Sequence, residues 1–172
     1  MTHEDFMAEA LNLAERGRGW VSPNPMVGAL VVKNDRIVGR GWHQQFGGPH
    51  AEVFALRESG AVADGATLYC TLEPCHHVGK TPPCVSNIIQ AGIRTVVLGA
   101  RDSNPVASGG MEALQASGIM VITGVREQEC RRLNAPFFKF VRAGLPLVSL
   151  KWAMTADGKL ATADGKSRWI TG

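Results

Sequence analysis

Short apolar runs of strand length recur along this chain at helix-length intervals, and that rhythm limits the folds open to it. The runs fall at residues 26–32, 67–71, 95–99 and 119–122. Between them lie stretches with helical spacing. Phe6, Met7, Ala10, Leu11, Leu13 and Ala14 recur at the 3.6-residue period of a first amphipathic helix, which Gly17 and Gly19 end. Asn34-Asp35 is a two-residue turn joining the first run to a returning strand at 36–41, so the chain opens with a hairpin. Further helices are expected at 50–59, 84–91 and 111–116, and a long one at 127–142 that starts at Arg126. A last strand is expected at 145–152. Strands alternating with helices after an opening hairpin predict an α/β sandwich with a mixed, mostly parallel sheet.

At 172 residues the chain has material for about one domain and a substantial core. Hydrophobic residues are 45% and charged residues 19%, ordinary globular usage that excludes disorder, collagen and coiled coil. No apolar run approaches the roughly 18 residues of a membrane span, so no membrane partner is expected. The formal net charge of +3 is spread without a basic cluster, so no nucleic-acid partner is expected either. The first residues carry His3, Glu4 and Asp5 and lack the pattern of a secretory leader, which predicts a cytoplasmic location. In a reducing compartment Cys70, Cys75, Cys84 and Cys130 point to metal binding or inert buried thiols rather than disulfides. Two of them, Cys70 and Cys130, fall within a strand and a helix and read as small core hydrophobes.

The chemistry concentrates in His50-Ala51-Glu52, Pro74-Cys75 and Pro83-Cys84. One histidine and two cysteines are good zinc ligands, and three protein ligands leave a tetrahedral position open, the pattern of a catalytic site. His50 and Cys84 each follow proline and open a helix, where the positive end of the dipole favours thiolate over thiol. Glu52 is two residues from His50. In the first turn of a helix both side chains can reach a group lying off its end, and a carboxylate there can carry a proton from water to a leaving amine. His-x-Glu followed by Pro-Cys is the signature of zinc nucleobase deaminases. Those with a short Cys-x-x-Cys include nucleic-acid deaminases such as tRNA adenosine deaminases. Here eight residues separate Cys75 from Cys84, and the basic face such a substrate requires is missing.

Six stretches carry a closer resemblance. They are Ser22-Pro23-Asn24-Pro25-Met26-Val27-Gly28, Gly41-Trp42-His43, Pro49-His50-Ala51-Glu52, Thr71-Leu72-Glu73-Pro74-Cys75, Gly79-Lys80-Thr81-Pro82-Pro83-Cys84 and Asp102-Ser103-Asn104-Pro105. With them the chain resembles, over essentially its whole length, the deaminase half of the bifunctional riboflavin-biosynthesis deaminase/reductase. The resemblance implies a cytidine-deaminase-like three-layer α/β/α sandwich and one zinc ion held by His50, Cys75 and Cys84, with Glu52 as the catalytic proton shuttle. It implies a small pyrimidine nucleotide substrate, 2,5-diamino-6-ribosylamino-4(3H)-pyrimidinone 5′-phosphate, whose 2-amino group is replaced by water's oxygen. By the same resemblance Asn24, His43, His77, Lys80, Asp102 and Asn104 line the substrate pocket, with Lys80 at the phosphate.

The resemblance divides the chain into a deaminase domain at 1–144 and, at 145–172, the opening of a reductase domain. NADPH is then a cofactor only of a longer chain, and a fragment inert without its second half is the competing expectation. The sequence leaves open whether the chain forms a homo-oligomer. Three positions depart from the family pattern. Ser103 replaces a proline, His76 replaces a small hydroxyl residue, and Ser108-Gly109-Gly110 stands where Gly-Arg-Gly is usual, so an arginine is absent.

Overall fold

The computed structural model describes residues 1–76, 83–104 and 108–166. Five strands form one mixed sheet in the order β2-β1-β3-β4-β5, from β1 (Gly28–Lys33), β2 (Arg36–Trp42), β3 (Thr67–Leu72), β4 (Thr95–Ala100) and β5 (Met120–Thr123). The β1–β2 hairpin turns at Asn34 and Asp35, both at positive φ, as a tight hairpin requires. β3 lies antiparallel to β1, and β3–β4 and β4–β5 are parallel. The sheet is therefore parallel only in its second half.

Side chains alternate across the sheet as the two-residue strand period demands. Ala29, Val31, Leu68, Cys70, Val96 and Leu98 face one core, shared with α2 (Ala51–Ser59), α3 (Cys84–Gln90) and α4 (Gly110–Ala116). Leu30, Val32, Tyr69 and Val97 face the other, under α1 (His3–Glu15), α5 (Glu127–Leu133) and α6 (Ala135–Ala143). This is the three-layer α/β/α sandwich expected from the sequence. α1 starts at His3, ahead of its first apolar residue Phe6, because Thr2 and Asp5 form a reciprocal capping box.

Two expectations fail. The long helix at 127–142 is two helices, α5 and α6, broken at Asn134. Pro136 falls in the first turn of α6, where it removes the N–H that a continuous helix would use. The Asn134 side chain, instead of facing along a helix, accepts from Met26 N–H and donates to Met26 O, both at 2.8 Å. It thereby pins the loop before β1. The strand expected at 145–152 does not form: the segment lies on the surface unpaired, with Val148 and Leu150 73% and 79% exposed. Among the described residues no strand pairs with it. Among the described residues, no helix is long and apolar enough to cross a membrane.

Candidate active site

The topology gathers the sequence motifs at one end of the sheet. β1 runs antiparallel to both neighbours, so its start, the end of β2 and the end of β3 lie together, and parallel β4 ends there as well. Asn24 precedes β1, His43 follows β2, Cys75 follows β3, and Asp102 and Asn104 follow β4. His50 is the N-cap of α2, and Cys84 is the first residue of α3. Ligands favour the carboxyl ends of strands in α/β sheets for this reason: loops and helix starts converge there.

His50, Cys75 and Cys84 present ligand atoms within 4.8 Å of one another. His50 Nδ1 lies 3.2 Å from Cys84 Sγ and 3.5 Å from Cys75 Sγ. Zinc bonds of about 2.0 Å to nitrogen and about 2.3 Å to sulfur, at tetrahedral angles, place nitrogen and sulfur about 3.5 Å apart. The donor set and its spacing therefore fit zinc. The Cys84 N–H, at the start of α3, points at Cys75 Sγ from 3.4 Å. The Cys84 thiol pulls the Cys75 thiol down to about 4, with His50 also favouring the thiolate, while burial opposes it. Cys84 is pushed up by the same sharing and by burial. His50 is raised, foremost by its contact with Cys75. The site thus favours a thiolate at Cys75, and a divalent cation held by the three donors would supply the charge that stabilises thiolate at both cysteines.

Glu52, in the first turn of α2, is 3% exposed. Burial raises its carboxyl above the ordinary range, against the opposing pull of His50. Among the described residues its Oε2 is the buried side-chain oxygen with no hydrogen-bond partner. An unsatisfied buried carboxylate oxygen costs stability, so its retention beside three ligands is what a proton-handling site looks like.

His43 is buried, with both ring nitrogens engaged. Nδ1 donates to Pro49 O at 2.9 Å, because a carbonyl can only accept. Burial lowers its pKa, so the ring is neutral and Nε2 accepts from Asn24 Nδ2 at 3.1 Å. This fixes the Asn24 amide, leaving Oδ1 as the atom not turned to His43. Asn24 also lines a groove of about 410 Å³ between its loop and α6, bordered by Phe137 and Phe140. Asp102 Oδ1 accepts from Asn104 N–H at 2.8 Å and so shapes the loop after β4. His77 and Lys80 lie outside the described residues.

Cys70 and Cys130 are buried, as expected of small core hydrophobes, and burial raises both thiols, Cys130 to about 12. His76 is exposed. Sequence reasoning missed Glu73, Asn134 and the Pro49 carbonyl as supports of the site. Only Glu73 carried a signal, a charged residue set between a buried strand and a ligand.

Fold and site together define a zinc-dependent deaminase domain, built where the helix starts meet the strand ends. The chain belongs to the cytidine and deoxycytidylate deaminase zinc-binding family, whose pattern matches residues 1–100. It is 53% identical over 169 residues to the riboflavin biosynthesis protein RibD of Aquifex aeolicus, covering 98% of this chain and 48% of that one. It is 50% identical over 172 residues to RibD of Escherichia coli, covering 99% of this chain and 47% of that one. A crystal structure of a diaminohydroxyphosphoribosylaminopyrimidine deaminase/5-amino-6-(5-phosphoribosylamino)uracil reductase from Thermotoga maritima superposes with a TM-score of 0.95. It is 50% identical in sequence, and the match covers 99% of this chain and 50% of that one. The chain spans about half the length of the curated relatives it matches.

Proposed function

We propose that the chain catalyses hydrolytic deamination of 2,5-diamino-6-ribosylamino-4(3H)-pyrimidinone 5′-phosphate. The products are 5-amino-6-ribosylamino-2,4(1H,3H)-pyrimidinedione 5′-phosphate and ammonia. The observation that carries this reading is the buried, unpartnered Glu52 oxygen beside the His50, Cys75 and Cys84 donors. The RibD relatives and the Thermotoga maritima enzyme supply the substrate class.

When bound, zinc supplies the polarisation that makes water a competent nucleophile near neutral pH. The chain's own residues do the rest. Glu52 takes a proton from the attacking water and returns it to the departing 2-amino group. The new C–O bond and the broken C–N bond then balance as one water consumed and one ammonia released. Asn24, its Oδ1 set by His43, accepts from a donor on the pyrimidine edge. Asp102 and Asn104 hold the ribosyl phosphate from the end of β4, and the family resemblance assigns His77 and Lys80 to the same substrate.

Residues 1–144 form the deaminase domain. Residues 145–172 open a reductase domain, which gives the exposed apolar alternation of 148–154 a sheet to join. The setting is cytoplasmic.

The direct test is ammonia release from the freshly prepared diaminopyrimidinone phosphate, with zinc quantified in the same sample. Turnover that scales with zinc content is expected. Stoichiometric zinc without ammonia release would overturn the assignment. Lys80→Ala should raise KM by about 10-fold or more for the phosphorylated substrate and by much less for its dephosphorylated form, since one charge-assisted contact is removed. Equal effects on both substrates would take Lys80 out of the phosphate site.

A further inference from the structure

Glu73 has no part in the proton transfer, yet its carboxylate accepts from three backbone N–H groups and faces a guanidinium. Its side chain is fully buried. Oε1 accepts from the N–H groups of Gly109 at 3.1 Å and Met111 at 3.0 Å. Oε2 accepts from Asp102 N–H at 3.1 Å, and the Arg101 guanidinium stands 3.6 Å away. The Glu73 backbone N–H donates to Ala100 O at 3.0 Å.

The contacts to Gly109 and Met111 alone would describe a cap on α4. The contact to Asp102 is on the other arm of the connection, at the end of β4. One carboxylate therefore ties both arms, residues 101–104 and 108–111, to the segment that leads into Cys75. The backbone is built for this closeness. A Cβ on Gly110 would lie 1.9 Å from Pro74 O, so only glycine lets the second arm lie on Pro74. Gly109, at φ +96, turns its N–H to Glu73 in a conformation that glycine adopts without strain. The position where an arginine was expected thus serves the backbone here.

We infer that Glu73 is a positioning residue, one that holds the Asp102–Asn104 arm at a fixed distance from the zinc ligand Cys75. The inference rests on the deaminase reading above. A substrate gripped at its pyrimidine by the zinc side and at its ribosyl phosphate by this loop needs the two grips in register. Loss of the tie loosens the second grip and leaves the reacting end intact.

The test is Glu73→Gln. Glutamine keeps the shape and one carbonyl oxygen, but it turns an NH2 group toward N–H donors that cannot accept. Zinc is expected to stay stoichiometric and kcat to stay within about 3-fold, while KM for the phosphorylated substrate rises about 10-fold or more. Backbone amide exchange is expected to quicken at Asp102, Gly109 and Met111 and to be unchanged along β4. Zinc, kcat and thermal stability falling together would mark Glu73 as scaffold only and overturn the inference, as would an unchanged KM. Should Glu73→Gln not fold, Glu73→Asp keeps the charge but is one methylene too short to reach both arms, and the same split is expected of it. Should the native chain bind the substrate without releasing ammonia, the deaminase reading fails by itself. Calorimetric affinity then replaces KM, and an unchanged affinity in the variant overturns the positioning role.

Discussion

Glu52→Gln should abolish turnover while leaving the protein folded and loaded with zinc. A general acid–base group contributes on the order of 10²–10⁴-fold in rate. A residue that moves the proton in both halves of the reaction sits toward the upper end, so kcat is expected to fall by about 10³-fold or more, roughly 4 kcal/mol of barrier. The amide has nearly the shape of the carboxylate, and His50, Cys75 and Cys84 are untouched. Zinc content should therefore match the native chain. Thermal stability should be equal or higher, because the buried oxygen that lacks a partner belongs to a group whose charge burial already disfavours. Activity lost with stability gained is the mark of a group kept for chemistry. Undiminished ammonia release by zinc-loaded Glu52→Gln would remove Glu52 from the mechanism, and loss of zinc would make it a support of the ligands instead.

The site was legible in the sequence to the extent that local rules govern it. His50 and Cys84 open helices because prolines precede them. Glu52 reaches the same point as His50 because the first helical turn lets two neighbours face off the helix end. These are short-range facts, and the structure places the donor atoms of His50, Cys75 and Cys84 within 4.8 Å of one another. The five sheet strands and the α/β class were likewise carried by periodicity, while the three-layer arrangement came from the family resemblance. What escaped depends on long-range partners. The antiparallel placement of β3 beside β1 is a choice of sheet order that no local pattern encodes. The helix break had a local signal in Pro136, but that the Asn134 side chain there finds Met26, 108 residues away in sequence, had none. The last apolar segment, at 145–152, has strand periodicity, but a strand exists only beside another. Glu73 signalled itself only as a charge between a buried strand and a ligand; its partners Asp102, Gly109 and Met111 lie far off in sequence.

Gly41→Ala should be severely damaging for a single added methyl, and it should reach the metal site. A Cβ at Gly41 would lie 2.0 Å from Ala51 O and 2.6 Å from Ala55 N, both backbone atoms of α2. No rotamer can relieve such a clash, so the start of the helix must lift away from β2. Overpacking of this kind costs about 3 kcal/mol, which in a domain of this size lowers Tm by roughly 6–12 °C. Ala51 is the residue between His50 and Glu52, so the lift carries the ligand and the proton shuttle with it. A misplacement near 1 Å can cost about 10²-fold in rate, and zinc affinity should fall with the histidine's displacement. Gly39→Ala separates the two effects. Its Cβ would press on Ala55 O at 2.1 Å, one turn further along the same helix. It should lower Tm by a similar amount but cost much less zinc affinity, because the start of α2 can serve as the pivot. Thermal unfolding and competition with a chromophoric chelator measure both quantities on the same samples. If Gly41→Ala lost stability but bound zinc as tightly as the native chain, His50 would have to be held by Pro49 and the ligands themselves rather than by the seat of α2 on β2.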